Sequence, residues 1–219
     1  MISANTFEYG SRLSPAPTPI VFIVDDDISV RESLESLVRS TGWRAETFAS
    51  ANDFLARPRV STPSCLILDI QLPDQSGLDL QKRVVDRTDM PIIFVTGYGD
   101  VPKTVQAMKA GALEFLTKPY SSEAVLAAIE NAIEFSRAAL GRQARMMSIQ
   151  DHYASLSRRE RQVMALVVSG RLNKQVGGEL GISEITVKAH RGSVMRKMKA
   201  ESVADLVRMA ASLEIAAAL

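Results

Sequence analysis

The sequence predicts an α/β protein with a doubly wound, five-stranded parallel sheet, joined by a helical linker to a small all-α domain. Three observations carry that prediction. Near-continuous apolar runs, Ile20-Val21-Phe22-Ile23-Val24, Leu66-Ile67-Leu68 and Ile92-Ile93-Phe94-Val95, are bounded by turn residues, as expected of strands buried on both faces. Between them apolar positions recur with helical spacing, and strands that alternate with helices fold as βαβ units. After Ser122 only helical patterns remain, and the charge balance reverses.

Residues 1–18 carry Ser, Thr, Asn and Pro without a sustained period and read as a flexible lead. Strands are placed near 20–24, 44–48, 65–68, 92–95 and 113–116, within a core that runs over residues 19–122. Val30, Leu34, Leu37 and Val38 share one helical face, with Asp27 as the cap, and Leu78, Leu80 and Val84 share another more loosely. Asp74 and Asp79 read as turn and surface residues. From Ser122 a helix presents Val125, Ile129, Ala132, Ile133, Ser136 and Leu140 on one face, and its stripe fades after Gly141 into a linker, so residues 123–153 form the final helix and connection.

Residues 154–219 read as a separate helical domain. Ser157-Arg158-Arg159-Glu160 is a capping box ahead of Val163, Leu166 and Val167, and Gly170 suits the end of that helix. Asn173 is placed as the cap of a second helix through Leu180, Gly181 as a tight turn, Ser183 as the cap of a third helix through about Lys199, and Ser202 as the start of a fourth. A glycine turn between the second and third helices is the pattern of a helix-turn-helix.

Charge is divided between the two parts. The chain has 219 residues and a net charge of +1, yet residues 155–219 hold 11 Lys and Arg against 6 Asp and Glu (11 − 6 = +5), while residues 1–122 hold 12 against 15. A basic module attached to an acidic one points to nucleic acid as the partner of the former. No apolar stretch approaches the roughly eighteen residues of a membrane span, and no export signal is evident, so a cytoplasmic protein with no membrane partner is expected. Cys65 is the single cysteine, which excludes an intrachain disulfide and leaves it a small buried apolar residue.

The strand ends carry the chemistry. Parallel sheets bind ligands at their carboxyl edge, and there the chain places Asp25 and Asp26, Asp69, Thr96 and Lys118. Converging carboxylates repel by roughly 4 kcal/mol per pair at an effective dielectric near 20, which a divalent cation relieves. Mg²⁺ (or Mn²⁺) takes such an all-oxygen site, with Asp26 and Asp69 as direct ligands, Asp25 orienting a bound water and the Gln71 carbonyl completing the set. The cation and Lys118 would stabilise the equatorial oxygens of a phosphoryl group while an Asp69 carboxylate oxygen attacks in line, giving an acyl phosphate. The Thr96 hydroxyl could then hydrogen-bond that phosphoryl group and draw its own loop between two positions.

At these residues the chain resembles a known family. The strings VDDD, LILDIQLPD, VTGYGD and FLTKP look like the receiver domain of two-component response regulators over about residues 18–140, which implies a flavodoxin-like fold. The resemblance makes Asp69 the phosphoacceptor, Asp25 and Asp26 the acidic pair, Thr96 the switch hydroxyl and Lys118 the phosphate-contacting cation. It puts the switch aromatic at Phe115, which has no hydroxyl to hydrogen-bond, and implies a cis Lys118-Pro119 bond.

In the third helix of the tail, Val187, His190, Val194 and Met198 pack inward by period, leaving Lys188, Ala189, Arg191, Gly192 and Arg196 outward. Lys188 is placed to reach base edges in the major groove and Ala189 to allow close approach, with Lys174, Thr186, Arg191 and Arg196 as phosphate contacts. The spaced residues Leu156-Ser157-Arg158-Arg159-Glu160, Gly170-x-x-Asn173-Lys174 and Ile182-Ser183-x-x-Thr186-Val187-Lys188-x-His190 resemble the LuxR-type helix-turn-helix. Gly177-Gly178 depart from it, at a cost of about 1 kcal/mol each relative to Ala unless close packing offsets this. The whole order is similar to the FixJ and StyR/TodT group, through Gly97-Tyr98-Gly99-Asp100-Val101-Pro102 and Met108-Lys109-Ala110-Gly111-Ala112.

The expected function is that of a phosphorylation-switched, DNA-binding activator of transcription. A sensor histidine kinase would phosphorylate Asp69, a homodimer would form through the helix near 101–110 and the fifth strand, and double-stranded DNA and RNA polymerase would be the downstream partners. Two rivals differ in kind. A Mg²⁺-dependent phosphatase using Asp69 as a transient nucleophile would need an acid two residues on, where the chain has Gln71. A regulator that never takes phosphate would not need the full pocket.

Overall fold

The computed structural model describes residues 17–97 and 101–214. Most of the expected lead over 1–18, and Tyr98-Gly99-Asp100 of the group motif, lie outside them. The chain divides into two units, residues 1–140 and 141–219.

In the first unit the expected alternation is realised. Strands β1 (Ile20–Val24), β2 (Arg44–Phe48), β3 (Ser64–Asp69), β4 (Ile92–Thr96) and β5 (Glu114–Thr117) form one sheet in the order β2-β1-β3-β4-β5, with every pair parallel. Helices α1 (Ile28–Ser40), α2 (Ala51–Ala56), α3 (Gly77–Arg83) and α4 (Val101–Lys109) fill the crossovers, and α5 (Ser122–Ala154) follows β5.

Two cores result from the period of the strands. Successive side chains of a strand point to opposite faces. Val21, Ile23, Ile67, Ile93 and Val95 pack with Leu34 and Val38 of α1 and Val125, Ile129, Ala132 and Ile133 of α5. Phe22, Leu66, Leu68 and Phe94 pack on the other face with Phe54 of α2, Leu80 of α3 and Ala107 of α4. Central β1 and β3 are buried at every residue, which is why their sequences do not alternate, whereas edge strand β2 keeps polar residues. Ser136 continues the apolar stripe of α5 because its buried hydroxyl accepts the Ser64 N–H and donates to the Asp89 carbonyl. Cys65 is fully buried.

The second unit has its own core. Helices α6 (Arg158–Val168), α7 (Asn173–Leu180), α8 (Glu184–Met198) and α9 (Val203–Ser212) pack around Val163, Met164, Val176, Val187, Val194, Met198 and Leu206. Ile149 and Tyr153, from the last turns of α5, belong to the same cluster. Ser157, Ser183 and Ser202 cap α6, α8 and α9 as expected. Asn173 does not cap α7. Leu172 holds the cap position, the Gln175 side chain accepts the Leu172 N–H, and the Asn173 oxygen is taken by Arg191.

The two glycines of α7 prove unequal. A Cβ on Gly177 would sit 2.8 Å from the Ile182 carbonyl oxygen, where the α7–α8 turn crosses closely, while one on Gly178 would meet no atom within 4 Å. Gly178→Ala is therefore expected to stabilise the unit by about 1 kcal/mol and Gly177→Ala to destabilise it by about 1–3 kcal/mol, in denaturant melts.

Candidate functional site

The doubly wound order reverses between β1 and β3, and such a reversal opens a crevice at the carboxyl ends of those strands. Asp25 follows β1 and Asp69 ends β3; both are buried, whereas Asp26 is exposed. Ligand oxygens of Asp25, Asp26 and Asp69 all lie within 4.8 Å of one another. The Lys118 ammonium, just past β5, bridges two of them, with Nζ 2.7 Å from Asp25 Oδ2 and 3.0 Å from Asp69 Oδ2. Thr96 ends β4 and is buried; its carbonyl accepts the Lys118 N–H at 2.7 Å. The Lys118–Pro119 bond is cis, as the resemblance implies.

These contacts set the electrostatics. Burial raises the Asp25 carboxyl above its ordinary value, against the lowering pull of Lys118 and of the Asp27 N–H. Burial works against the Lys118 ammonium too, but hydrogen bonds to Asp25 and Asp69 outweigh it and hold its pKa above the usual lysine value.

Of the remaining expected residues, Gln71 is exposed and donates its N–H to Asp69 Oδ1 at 3.1 Å. Phe115 is half-buried, its ring centroid 6.4 Å from that of Phe94 across β4 and β5. Asp27 accepts the Ser29 N–H and caps α1, and Asp79 pairs with Lys82 on the surface.

Several residues that position the site carry no local signal in the sequence. Arg31 donates to the Asp25 carbonyl at 2.6 Å and fixes the acidic loop. Asp74, expected as a plain turn residue, accepts the Ala51 and Asn52 N–H groups at 3.2 and 2.9 Å, tying the loop after Asp69 to the start of α2. Gly77 passes so close beneath the site that a Cβ there would lie 2.2 Å from the Asp69 carbonyl oxygen. Tyr120 is half-buried, its hydroxyl pKa raised by burial, with Lys118, Asp25 and Asp69 near enough to act on it.

In the second unit α8 turns Val187, Val194 and Met198 inward, with His190 half-buried. Lys174, Thr186, Lys188, Ala189, Gly192 and Arg196 are exposed. Lys188 lies 3.3 Å from Glu184 one turn earlier, and the Thr186 hydroxyl bonds that of Ser183. Arg191 differs from its outward placement by period: it is half-buried and donates to Asn173 Oδ1 at 2.9 Å, clamping α8 to α7. The capping box of α6 has a partner that local spacing does not show, for Lys197 Nζ lies 2.7 Å from buried Glu160 Oε2.

That hydrogen bond from Lys197, with the Ser157 N–H, holds the Glu160 carboxyl at about 2, against an ordinary value of 4.5. A carboxyl depressed on folding contributes stability above its unfolded value and loses it as pH falls through its folded value. The stability gap between the native chain and Glu160→Gln is expected to be about 1.5–3 kcal/mol near neutral pH. It should shrink between pH 4.5 and about 2, as measured by denaturant melts of the second unit across that range.

Residues 21–130 match the family described as response regulator receiver domain, and residues 154–210 match that described as bacterial regulatory proteins, luxR family. The chain belongs to the response regulators that couple a receiver to a LuxR-type DNA-binding domain, and it regulates transcription in dependence on phosphorylation. It is similar to nodulation protein W of Bradyrhizobium diazoefficiens, at 46% identity over 95% of this chain and 92% of that protein. Response regulator protein TodT of Pseudomonas putida is 46% identical over 89% of this chain and 86% of its own. Among solved structures, response regulator StyR matches with a TM-score of 0.80 at 43% identity, over 89% of this chain and 99% of StyR. Full-length FixJ from B. japonicum matches at 0.53 and 38%, over 90% of this chain and 97% of FixJ.

Proposed function

We propose that Asp69 is the phosphoacceptor, charged by a sensor histidine kinase, and that the acyl phosphate makes the second unit a dimeric DNA reader. The observation that carries this reading is the Lys118 ammonium seated on Asp25 and Asp69 at once, within a cluster of three carboxylates. The donor set fits a hard divalent cation, Mg²⁺ or Mn²⁺: every candidate ligand is an oxygen, and Asp26 keeps one side open to solvent. Asp25, Asp26, Asp69 and the Gln71 carbonyl would hold it, and when bound it supplies neutralising charge for the incoming phosphoryl group. An Asp69 carboxylate oxygen attacks the phosphorus, the phosphorus–nitrogen bond of the donor phosphohistidine breaks, and the imidazole leaves with a proton.

Lys118 then pairs with the phosphoryl oxygens, and the Thr96 hydroxyl donates to one of them. Phe115 follows by packing alone, since it has no hydrogen-bonding group. Val105 and Met108 of α4 are exposed large apolar side chains, as a dimer face through α4 and β5 requires. Two copies of the second unit then read two half-sites, with Lys188 and Ala189 toward base edges and Lys174, Thr186, Arg191 and Arg196 toward phosphates. Arg191, whose Nη1 is given to Asn173, would serve there with its remaining guanidinium N–H groups. Activation through RNA polymerase and a cytoplasmic location complete the proposal; among the described residues no helix is long and apolar enough to cross a membrane.

Mass and DNA affinity measured with and without beryllofluoride and Mg²⁺ test it. The expected result is a change from monomer to dimer and a gain in affinity on the order of tenfold. Unchanged mass and affinity would instead identify a regulator that works without phosphate.

A further inference from the structure

Ile185 is 80% exposed, the most exposed of the large apolar residues described. It is the second residue of α8, a helix whose other large apolar side chains all join the core, Val187, Val194 and Met198 buried and Met195 half-buried. At about 100° per residue Ile185, Ala189, Gly192 and Arg196 fall on one line directly opposite that buried side. Gly192 has no atom within 4 Å of where a Cβ would be, and Ala189 is small and exposed, so the two positions on the line next to Ile185 leave it standing above them. Its immediate charged neighbours on α8 are Glu184 and Lys188, paired with each other at 3.3 Å, while Arg196 lies further along the same line and the segment as a whole carries five more basic than acidic residues (11 − 6). The basic excess of the segment suits a polyanion, while the Ile185 side chain has no group with which to bind phosphate or a base edge.

In the major groove one base feature rewards an aliphatic contact, the 5-methyl group of thymine. We propose that Ile185 is a specificity-determining residue that packs on a thymine methyl in each half-site, with Ala189 and Gly192 providing the close approach. This rests on α8 being the helix that reads bases. A neighbouring protein or lipid surface would also cover an exposed isoleucine, but its seat near the start of the second helix of a helix-turn-helix, the end that enters the major groove, favours DNA.

The test uses the full chain with beryllofluoride and Mg²⁺. Its preferred duplex is selected from random sequence, and each thymine of that duplex is then replaced singly by deoxyuridine, which deletes only the methyl. One thymine per half-site is expected to lose about fourfold in affinity on this change, what one buried methyl is worth. Ile185→Ala is expected to bind that duplex about tenfold more weakly and to be indifferent to the same replacement. Because Ile185 is exposed, an unchanged melting temperature will show that the variant folds. Lys174→Ala should weaken binding to every duplex alike and keep the methyl dependence. The inference is overturned if no thymine methyl matters, or if Ile185→Ala keeps the same dependence. Failure to select any preferred duplex would overturn the placement of α8 as base reader as well, which separates the two.

Discussion

An Asp69→Asn chain is expected to take up no acid-labile phosphate from acetyl phosphate and Mg²⁺, and to show none of the roughly tenfold gain in DNA affinity. The carboxamide keeps the shape of the side chain but lacks the nucleophilic oxygen. The fold should not suffer. Asp25 stays paired with Lys118 at 2.7 Å, and removing one of three neighbouring carboxylates relieves repulsion in a buried site. The melting temperature is therefore expected to hold or rise while phosphate uptake disappears, and the two measurements together separate loss of chemistry from loss of structure. Phosphate uptake by Asp69→Asn at the native rate would place the acceptor elsewhere.

Gly77→Ala should act through the backbone instead. The added Cβ would start 2.2 Å from the Asp69 carbonyl oxygen and 3.0 Å from the Ile70 Cα, both backbone atoms that cannot swing aside. The loop between β3 and α3 must shift, at a cost of about 1–3 kcal/mol or more. The shift also loosens the Gln71 N–H from Asp69 Oδ1 and the Gly77 N–H from the Ile70 carbonyl, so phosphorylation should slow as well. Denaturant melts and phosphate uptake on the same preparation check both effects; a native-like melt would show that the loop yields freely.

These residues mark what the sequence discloses and what it conceals. The positions of β1, β3 and β4 followed from apolar runs to within a residue, because a strand buried on both faces has nowhere to hide a polar side chain. Asp27, Ser157, Ser183 and Ser202 were readable as caps because their partners lie two or three residues away. Asp25, Asp69, Thr96 and Lys118 were readable as a group because strand ends of a parallel sheet meet at one edge. Partners supplied by distant elements were not. Arg191 to Asn173, Lys197 to Glu160 and Asp74 to Ala51 depend on how helices and loops dock, and no local spacing encodes that. Arg191 therefore read as an outward cation, and Asn173 as a cap. Gly177 and Gly178 look alike in sequence; only the approach of the Ile182 carbonyl tells them apart.

The membership of Ile149 and Tyr153 in the core of Val163, Val187 and Leu206 bears on how such chains are recombined. The luxR family match begins at residue 154, after both of them. A chimera spliced there would graft the reading head without two of its own core side chains and expose the apolar surface they cover. The workable seam lies upstream, near Gly141, where the contacts of the chain divide. The end of a helix that looks like connecting material is thus part of the inheritance of the domain that follows it.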